Sequence, residues 1–561
     1  MIDNELDPSG NKNGNQRTPT ALSEPANERT NLLRRAHDHL AAHDTEAAKS
    51  LIETGIRRWP DDGSWRMLAA RLAEAEGRST TAIELFRQAA VSLRQEVEAS
   101  PKDGERALAL AQALIQSGDA NGAEAALGLA RERGIDSARQ LRTERWLAWS
   151  RKDWPTMRRA AENLTASEAT LTARDFTALA EACRNLNDYK GTAKAAERAL
   201  ELDATLFDAG MMAAWAAMQE GDGEKAISRF RQLSELMPDN PRLAYYIIRL
   251  LVLTGKVSEA STNLDAALLR WPKDPSLRMF ALICGFRSVE EIAPISQKNV
   301  EADPFASRER QLRRVVELAP RSSEWQREII TDDKSSDVII GEAPGADTAV
   351  LVFTALNDVV SMPLAVFDRY MAALGVTTIY VKDFQRLNFL KGIMTLGRDY
   401  ANTLAALQGI CRGLGVRRLC TLGYSSGGAA AVRYGIELGA DRIVSFGGRT
   451  HAAHSALADL NSGHIMVERH RANRLEREER DFKKFLLSRP HSSKVAWVYS
   501  EGLVTDKAQA LYLADVDCVT LYPIARCNQH ELPVWLAIHD DLRGMLATML
   551  GVRSGTVNGE A

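Results

Sequence analysis

The sequence predicts a chain of two structural kinds, an all-helical N-terminal part and an α/β C-terminal part built on a mostly parallel sheet. Three observations predict it. Over 31–286 the chain is rich in Ala, Leu, Glu and Arg, has few β-branched runs, and repeats a pattern of small and large apolar residues every 34 positions. Over 337–552 short apolar runs alternate with amphipathic stretches, as expected of strands buried on both faces and the helices that cover them. At 561 residues the chain is also too long for a single hydrophobic core.

The repeat is clearest from Gly221, Ala226, Phe230, Leu233 and Pro238 to Gly255, Ala260, Leu264, Ala267 and Pro272, each pair 34 or close to 34 residues apart. Ala48, Ile52, Gly55 and Pro60 fall at the same offsets, and Ala82, Phe86 and Ala89 follow. Weaker copies are Ala123/Leu127/Ala130, Met157/Ala161/Leu164 and Thr192/Ala196/Ala199. A small residue lets two antiparallel helices approach, a large one fills the gap between them, and Pro closes the second helix. The pattern resembles the tetratricopeptide repeat over about 250 residues and about seven units, with seven extra residues between the second and third. The resemblance implies a superhelix with a concave docking surface for a protein partner or a large substrate. The competing reading is an irregular helical domain with chance spacing.

Residues 287–336 mix short helical signals with polar, Pro-containing stretches and read as a linker or capping segment. From 337 the apolar runs are DTAVLVFT, VTTIYV, RRLCTL, DRIVSF, KVAWVYS and DCVTLYPI, with helical segments between them. Each half is expected to be a domain of its own. Proteolysis is then expected within 288–336, and a fragment from about 335 onward to fold and act alone.

Gly423-Tyr424-Ser425-Ser426-Gly427-Gly428 directly follows the run at 418–422 and opens a helix. A sharp strand-to-helix turn exposes a nucleophile, and glycines two residues either side let strand and helix approach. Only Ser425 has both; the N–H of Ser426 would then form half of an oxyanion hole. A plain Gly-rich turn is the structural alternative. A serine hydroxyl needs a base and an orienting carboxylate. His530 is the histidine between the last strand and the last helix, and Asp506 follows the preceding strand. Glu501 is the alternative acid, because Asp506 could instead cap a helix at 507–514. The second oxyanion donor is expected from Ala355 or Leu356, after the run at 349–354.

With nucleophile, acid and His in this order, residues 337–552 resemble the α/β-hydrolase superfamily, and more loosely the hydrolase domains fused to tetratricopeptide repeats in surface-polysaccharide and protein-modification systems. The loop Thr354-Ala355-Leu356-Asn357 lacks the HG or HGGG string of many lipases. An insert between Gly448 and Pro490 occupies the position of a lid. Its charged core is either a solvated helix face or an anion-reading surface using Arg471, Arg474 or Arg477. Asp383 and Arg386 are further candidates for the pocket wall.

Composition sets the remaining bounds. The apolar fraction of 45% and charged fraction of 26% are those of an ordinary globular protein, and a net charge of −3 gives no basic bias toward nucleic acid. Cys183, Cys284, Cys411, Cys420, Cys518 and Cys527 are scattered, with no CxxC pair, so reduced thiols in a cytoplasmic setting are expected, with neither metal nor cofactor. The opening residues have no charged and then apolar signal-peptide pattern, so 1–30 reads as a polar disordered leader and 553–561 as a tail. No uncharged apolar run approaches the ~18–20 residues that span a bilayer. The expected activity is that of a serine esterase, thioesterase or acyltransferase. The alternative is an inactive interaction scaffold.

Overall fold

Small-residue contacts between antiparallel helices set the architecture of the first half. A computed structural model describes residues 24–167, 170–294, 303–397, 399–450, 482–489 and 491–552. The tail, most of the leader and the 451–481 part of the insert, with Arg471, Arg474 and Arg477, lie outside the described residues. The chain divides into two compact units, Met1–Ala182 and Cys183–Ala561.

In the first unit the helices Thr45–Arg58, Ser79–Ala99, Ala120–Glu132 and Trp154–Thr165 carry the repeat signature, and Ala48, Ala82, Phe86, Ala123 and Ala161 are buried. Gly55 gives the reason for the small residue, because the ring of the buried Trp65 occupies the space a Cβ would need. Ser79–Ala99 is 21 residues long where Thr45–Arg58 is 14, so the seven extra residues of the second unit lengthen this helix. Aspartates 44, 62, 103, 119, 136 and 153 cap helix N-termini through their side chains.

The second unit begins with the same design in Tyr189–Leu202, Phe207–Gln219, Gly223–Leu236, Pro241–Leu253, Val257–Arg270 and Pro275–Ile283. It continues into a seven-stranded sheet of β1 (Val338–Gly341), β2 (Thr348–Phe353), β3 (Thr377–Val381), β4 (Arg418–Tyr424), β5 (Arg442–Phe446), β6 (Lys494–Ser500) and β7 (Val519–Ile524). The strand order is β1-β3-β2-β4-β5-β6-β7, and only β1 runs antiparallel to its neighbour. Leu422 of the central β4 lies opposite Val352 on one side and Val444 on the other. β2 and β3 are buried along their whole length, as their unbroken apolar runs require.

Several expectations are corrected here. β1 has no apolar run long enough to announce it, and pairs at the sheet edge. The last helical stretch divides into Leu532–His539 and Leu542–Leu550, with Asp541 capping the second. The largest correction concerns 287–336, which is not a free linker. Its helix Pro304–Leu318 buries Leu312 and Val315 in a core that runs from Ala214 of the repeats to Leu550. Arg278 of the repeat helix Pro275–Ile283 makes a buried ion pair with Glu309 at 2.9 Å. Arg327 reaches the buried Asp368 through two bonds of 2.7 and 2.6 Å, and the Tyr380 hydroxyl donates to the same carboxylate at 2.6 Å. These partners are 31 and 41 residues apart, so the segment's polarity looks like solvation in the sequence and is internal pairing in the fold.

Among the described residues no helix is long and apolar enough to cross a membrane, and no group of three or more His, Cys, Asp or Glu side chains stands together as a metal site. None of the six cysteines is in a disulfide.

The shared core makes a direct prediction. A fragment of 335–561 loses Arg327, leaves Asp368 buried without its cation, and exposes the apolar face of the sheet. Removing one partner of a buried pair alone costs about 3–5 kcal/mol. Circular dichroism should show no cooperative melt for this fragment and a cooperative melt for 183–561; comparable melts for both would contradict the shared core.

Candidate active site

β4 ends at Tyr424, the helix Ser426–Glu437 begins two residues later, and Ser425 makes the turn between them with φ 56° and ψ −115°. A non-glycine residue held there stores on the order of 1–3 kcal/mol of backbone strain. The turn is fixed by the Ser425 N–H donating to the Phe446 carbonyl at 2.9 Å and by the glycines beside it. A Cβ on Gly427 would run into the Phe353 and Thr354 carbonyls at the end of β2. Ser425 stands at the N-cap position of its helix, yet its hydroxyl makes no capping bond. A plain Gly-rich turn would let it cap. Instead Ser425 Oγ faces His530 Nε2 at 2.9 Å.

His530 sits between β7 and the helix Leu532–His539, and its Nδ1 lies 2.9 and 3.0 Å from the two carboxylate oxygens of Asp506. An ionised carboxylate only accepts, so Nδ1–H points to Asp506 and Nε2 is left to accept from the Ser425 hydroxyl. Asp506 is buried in the first turn of the helix Val504–Leu511. The helix starts three residues before the expected 507, so Asp506 lies inside it and is not its cap. Glu501 is exposed in the preceding loop, and it is Asp506 that meets His530.

Ser426 opens its helix, where an N–H has no intrahelical acceptor and the macrodipole favours negative charge. Of the two candidates on the loop after β2, the Ala355 N–H is already engaged with the Val359 carbonyl at 2.9 Å. Leu356 is the one that backbone pairing leaves open among the described residues. Ser425, Ser426, Ala355 and Leu356 all line one cavity of about 640 Å³.

Asp383 and Arg386 do not line that cavity. Arg386 is 1% exposed, pairs with Asp358 at 2.5 and 2.7 Å, and donates to the Val252 carbonyl of the repeats at 2.9 Å. Asp383 accepts the Leu387 and Phe389 amides at 2.6 and 2.9 Å, and burial pushes its carboxyl above the usual range. Both hold loop structure. Burial pushes the Cys284 thiol up to about 12, which keeps it protonated. The Tyr424 phenol is also pushed well up by burial, and its ring packs beside His530 with centroids 5.4 Å apart. Arg449 lines the cavity near Asp506; burial lowers its pKa and the carboxylate raises it.

Two features escaped the sequence reading. Gly447, after β5, has φ +54°, and a Cβ there would stand 3.0 Å from His530 Cε1 and 3.3 Å from Asp506 Oδ2. Only the pair Gly447-Gly448 hinted at it. The opposite wall of the cavity comes from the repeats and the supposed linker, through Trp215, Tyr245, Tyr246, Phe280, Phe305 and Arg308. Its signal was present in the helical spacing of 242, 245, 246 and 249 and of 276, 279, 280 and 283.

Residues 33–103 and 217–281 each match the tetratricopeptide repeat family, and the helical first half, to about residue 280, is of that type. No curated protein matches the chain at a significant level. Similar solved structures include YrrB, a tetratricopeptide-repeat protein with an unusual peptide-binding site (17% identity over 33% of this chain and 95% of that one, TM-score 0.31). Pseudomonas aeruginosa pilF is 18% identical over 39% of this chain and 96% of its own, with a TM-score of 0.31. PilW, a type IV pilus biogenesis factor, is 14% identical over 38% and 96%, with a TM-score of 0.32. Nothing about function follows from likeness at this level.

Gly447→Ala should press on the His–Asp pair and place a side chain at positive φ. Urea unfolding should register a loss of about 1–2 kcal/mol, and a crystal structure of the variant should show His530 moved away from Ser425. Unchanged stability with an unmoved ring would contradict the role given to this glycine.

Proposed function

We propose that residues 337–552 form an α/β-hydrolase-type domain and that the chain is a serine hydrolase or acyltransferase acting on an ester or thioester. The observation that carries this reading is the chain of hydrogen bonds from Ser425 Oγ through the His530 ring to Asp506, at 2.9 Å on each side, on the floor of a cavity. The nucleophile after a central parallel strand, the acid after β6 and the His after β7 follow the chain order of that superfamily.

In this mechanism Ser425 Oγ attacks the carbonyl carbon as its proton passes to His530 Nε2. Asp506 stabilises the imidazolium and holds its orientation. The carbonyl oxygen becomes an oxyanion held by the Ser426 and Leu356 amides. Collapse breaks the bond to the leaving group, which departs as an alcohol or thiol with the proton from His530. Water, or an acceptor hydroxyl, then gives its proton to His530 and attacks the acyl-enzyme, releasing an acid or a new ester and restoring Ser425. The repeat helices of the same unit carry the part of the ligand that does not react, because their side chains form the facing wall.

Hydrolysis of short 4-nitrophenyl esters tests this reading. Ser425→Ala and His530→Ala should each lower kcat on the order of 10⁶-fold, and Asp506→Asn roughly 10⁴-fold. Near-native turnover in the His530 variant would show that another base serves. Absence of any Ser425-dependent turnover in the parent chain would favour the scaffold alternative.

A further inference from the structure

Between 207 and 287 most arginines are ion-paired, and the two exceptions line one cavity. Of the seven arginines between 207 and 287, five are ion-paired. The other two, Arg242 and Arg249, have no carboxylate partner among the described residues, and both line the cavity that holds Ser425. They stand on the helix Pro241–Leu253 at i and i+7, with Tyr245 and Tyr246 at i+3 and i+4, so the four side chains share one helix face.

Arg308, Arg433 and Arg449 also line the cavity, and Glu531, paired with Arg308, is the one carboxylate among its described lining residues. Trp215 packs edge-on against Tyr246 at 5.2 Å, and Tyr245 against Phe305 at 5.5 Å, making a rigid aromatic surface beside the cations. A cavity wall carrying Arg242 and Arg249 without a described carboxylate partner favours a negatively charged occupant, since Arg presents a planar fork that matches carboxylate and phosphate oxygens. Low-dielectric walls strengthen the attraction.

We propose that the ester cleaved at Ser425 carries a fixed anion, a carboxylate or a phosphate, which Arg242 and Arg249 bind while its body lies on the Trp215–Tyr245–Tyr246 surface. This rests on the esterase reading above and narrows its substrate class. The anion is held by the repeat helices and the scissile bond by the sheet, so one ligand spans the cavity.

Matched ester pairs test the proposal in the full chain. One pair is charged on the acyl side, mono-4-nitrophenyl adipate against 4-nitrophenyl hexanoate. The other is charged on the alcohol side, 4-acetoxybenzoate against 4-acetoxybenzamide. For at least one pair kcat/KM should favour the anion by about tenfold, a preference that weakens in 1 M salt. In the double variant Arg242→Gln/Arg249→Gln that ratio should fall to about one, whereas Arg242→Lys/Arg249→Lys should keep part of it. The readout is a ratio within one protein, so partial unfolding of a variant does not mimic it. Competition by inorganic phosphate and by acetate at constant ionic strength identifies which anion the pair binds better. Ser425-dependent hydrolysis with no anion preference, or a preference that survives the glutamine variant, overturns the proposal and leaves the esterase reading standing. No Ser425-dependent hydrolysis of any of the four esters overturns the esterase reading itself.

Discussion

The buried guanidinium of Arg386 is the interaction on which the second unit depends. It pairs with Asp358 at 2.5 and 2.7 Å on the loop after β2, and it also donates to the Asp383 carbonyl at 3.1 Å and to the Val252 carbonyl at 2.9 Å, near the C-terminus of a repeat helix. A cation there meets the negative end of the helix dipole, at a carbonyl that also accepts the Gly255 N–H at 3.0 Å. The loop it holds begins with Ala355 and Leu356, and the helix it holds presents Arg242, Tyr245, Tyr246 and Arg249. One side chain therefore ties the two walls of the cavity together, alongside the apolar core they share. Its burial is offset by the two-pronged pairing with Asp358 and two carbonyl acceptors, although its Nε is left without one.

A second constraint acts at the floor of the cavity. Ser425 is held in a backbone conformation that ordinary residues avoid, which turns its hydroxyl from a capping role toward His530. Close approach of the elbow to β2 at Gly427, and an open space at Gly447, make that arrangement possible. Strain, glycine placement and the Asp506–His530 contact support one another. No one of them explains the geometry alone.

Legibility in the sequence followed the range of the interaction. The repeat signature was readable because it is local and periodic; Ala226, Phe230, Ala260 and Leu264 are all buried as the spacing expects. Ser425, Asp506 and His530 could be named because chain order relative to strands is itself a sequence property. The parallel strands after β1 were visible as unbroken apolar runs. Failures came wherever charge pairing crosses long separations. Arg386 and Val252 are 134 residues apart, and Arg327 and Asp368 are 41 apart, so residues that look solvated in a linear reading are buried partners. The same blindness left 287–336 undecided between a linker and a capping segment and hid the contribution of the repeats to the cavity. Ala355 and Leu356 are indistinguishable in a linear reading; the turn bond from Ala355 to Val359 separates them.

Covalent labelling addresses the nucleophile itself. Treating the intact chain with a fluorophosphonate and locating the adduct by peptide mass spectrometry should find a single phosphonylated residue, Ser425, because among the described residues its hydroxyl is the one that faces a histidine base, at 2.9 Å. The adduct should disappear in a His530→Ala variant whose circular dichroism matches the parent's, because the proton acceptor is gone. An unlabelled chain, or an adduct on Ser426 or elsewhere with Ser425 unmodified, would contradict the account.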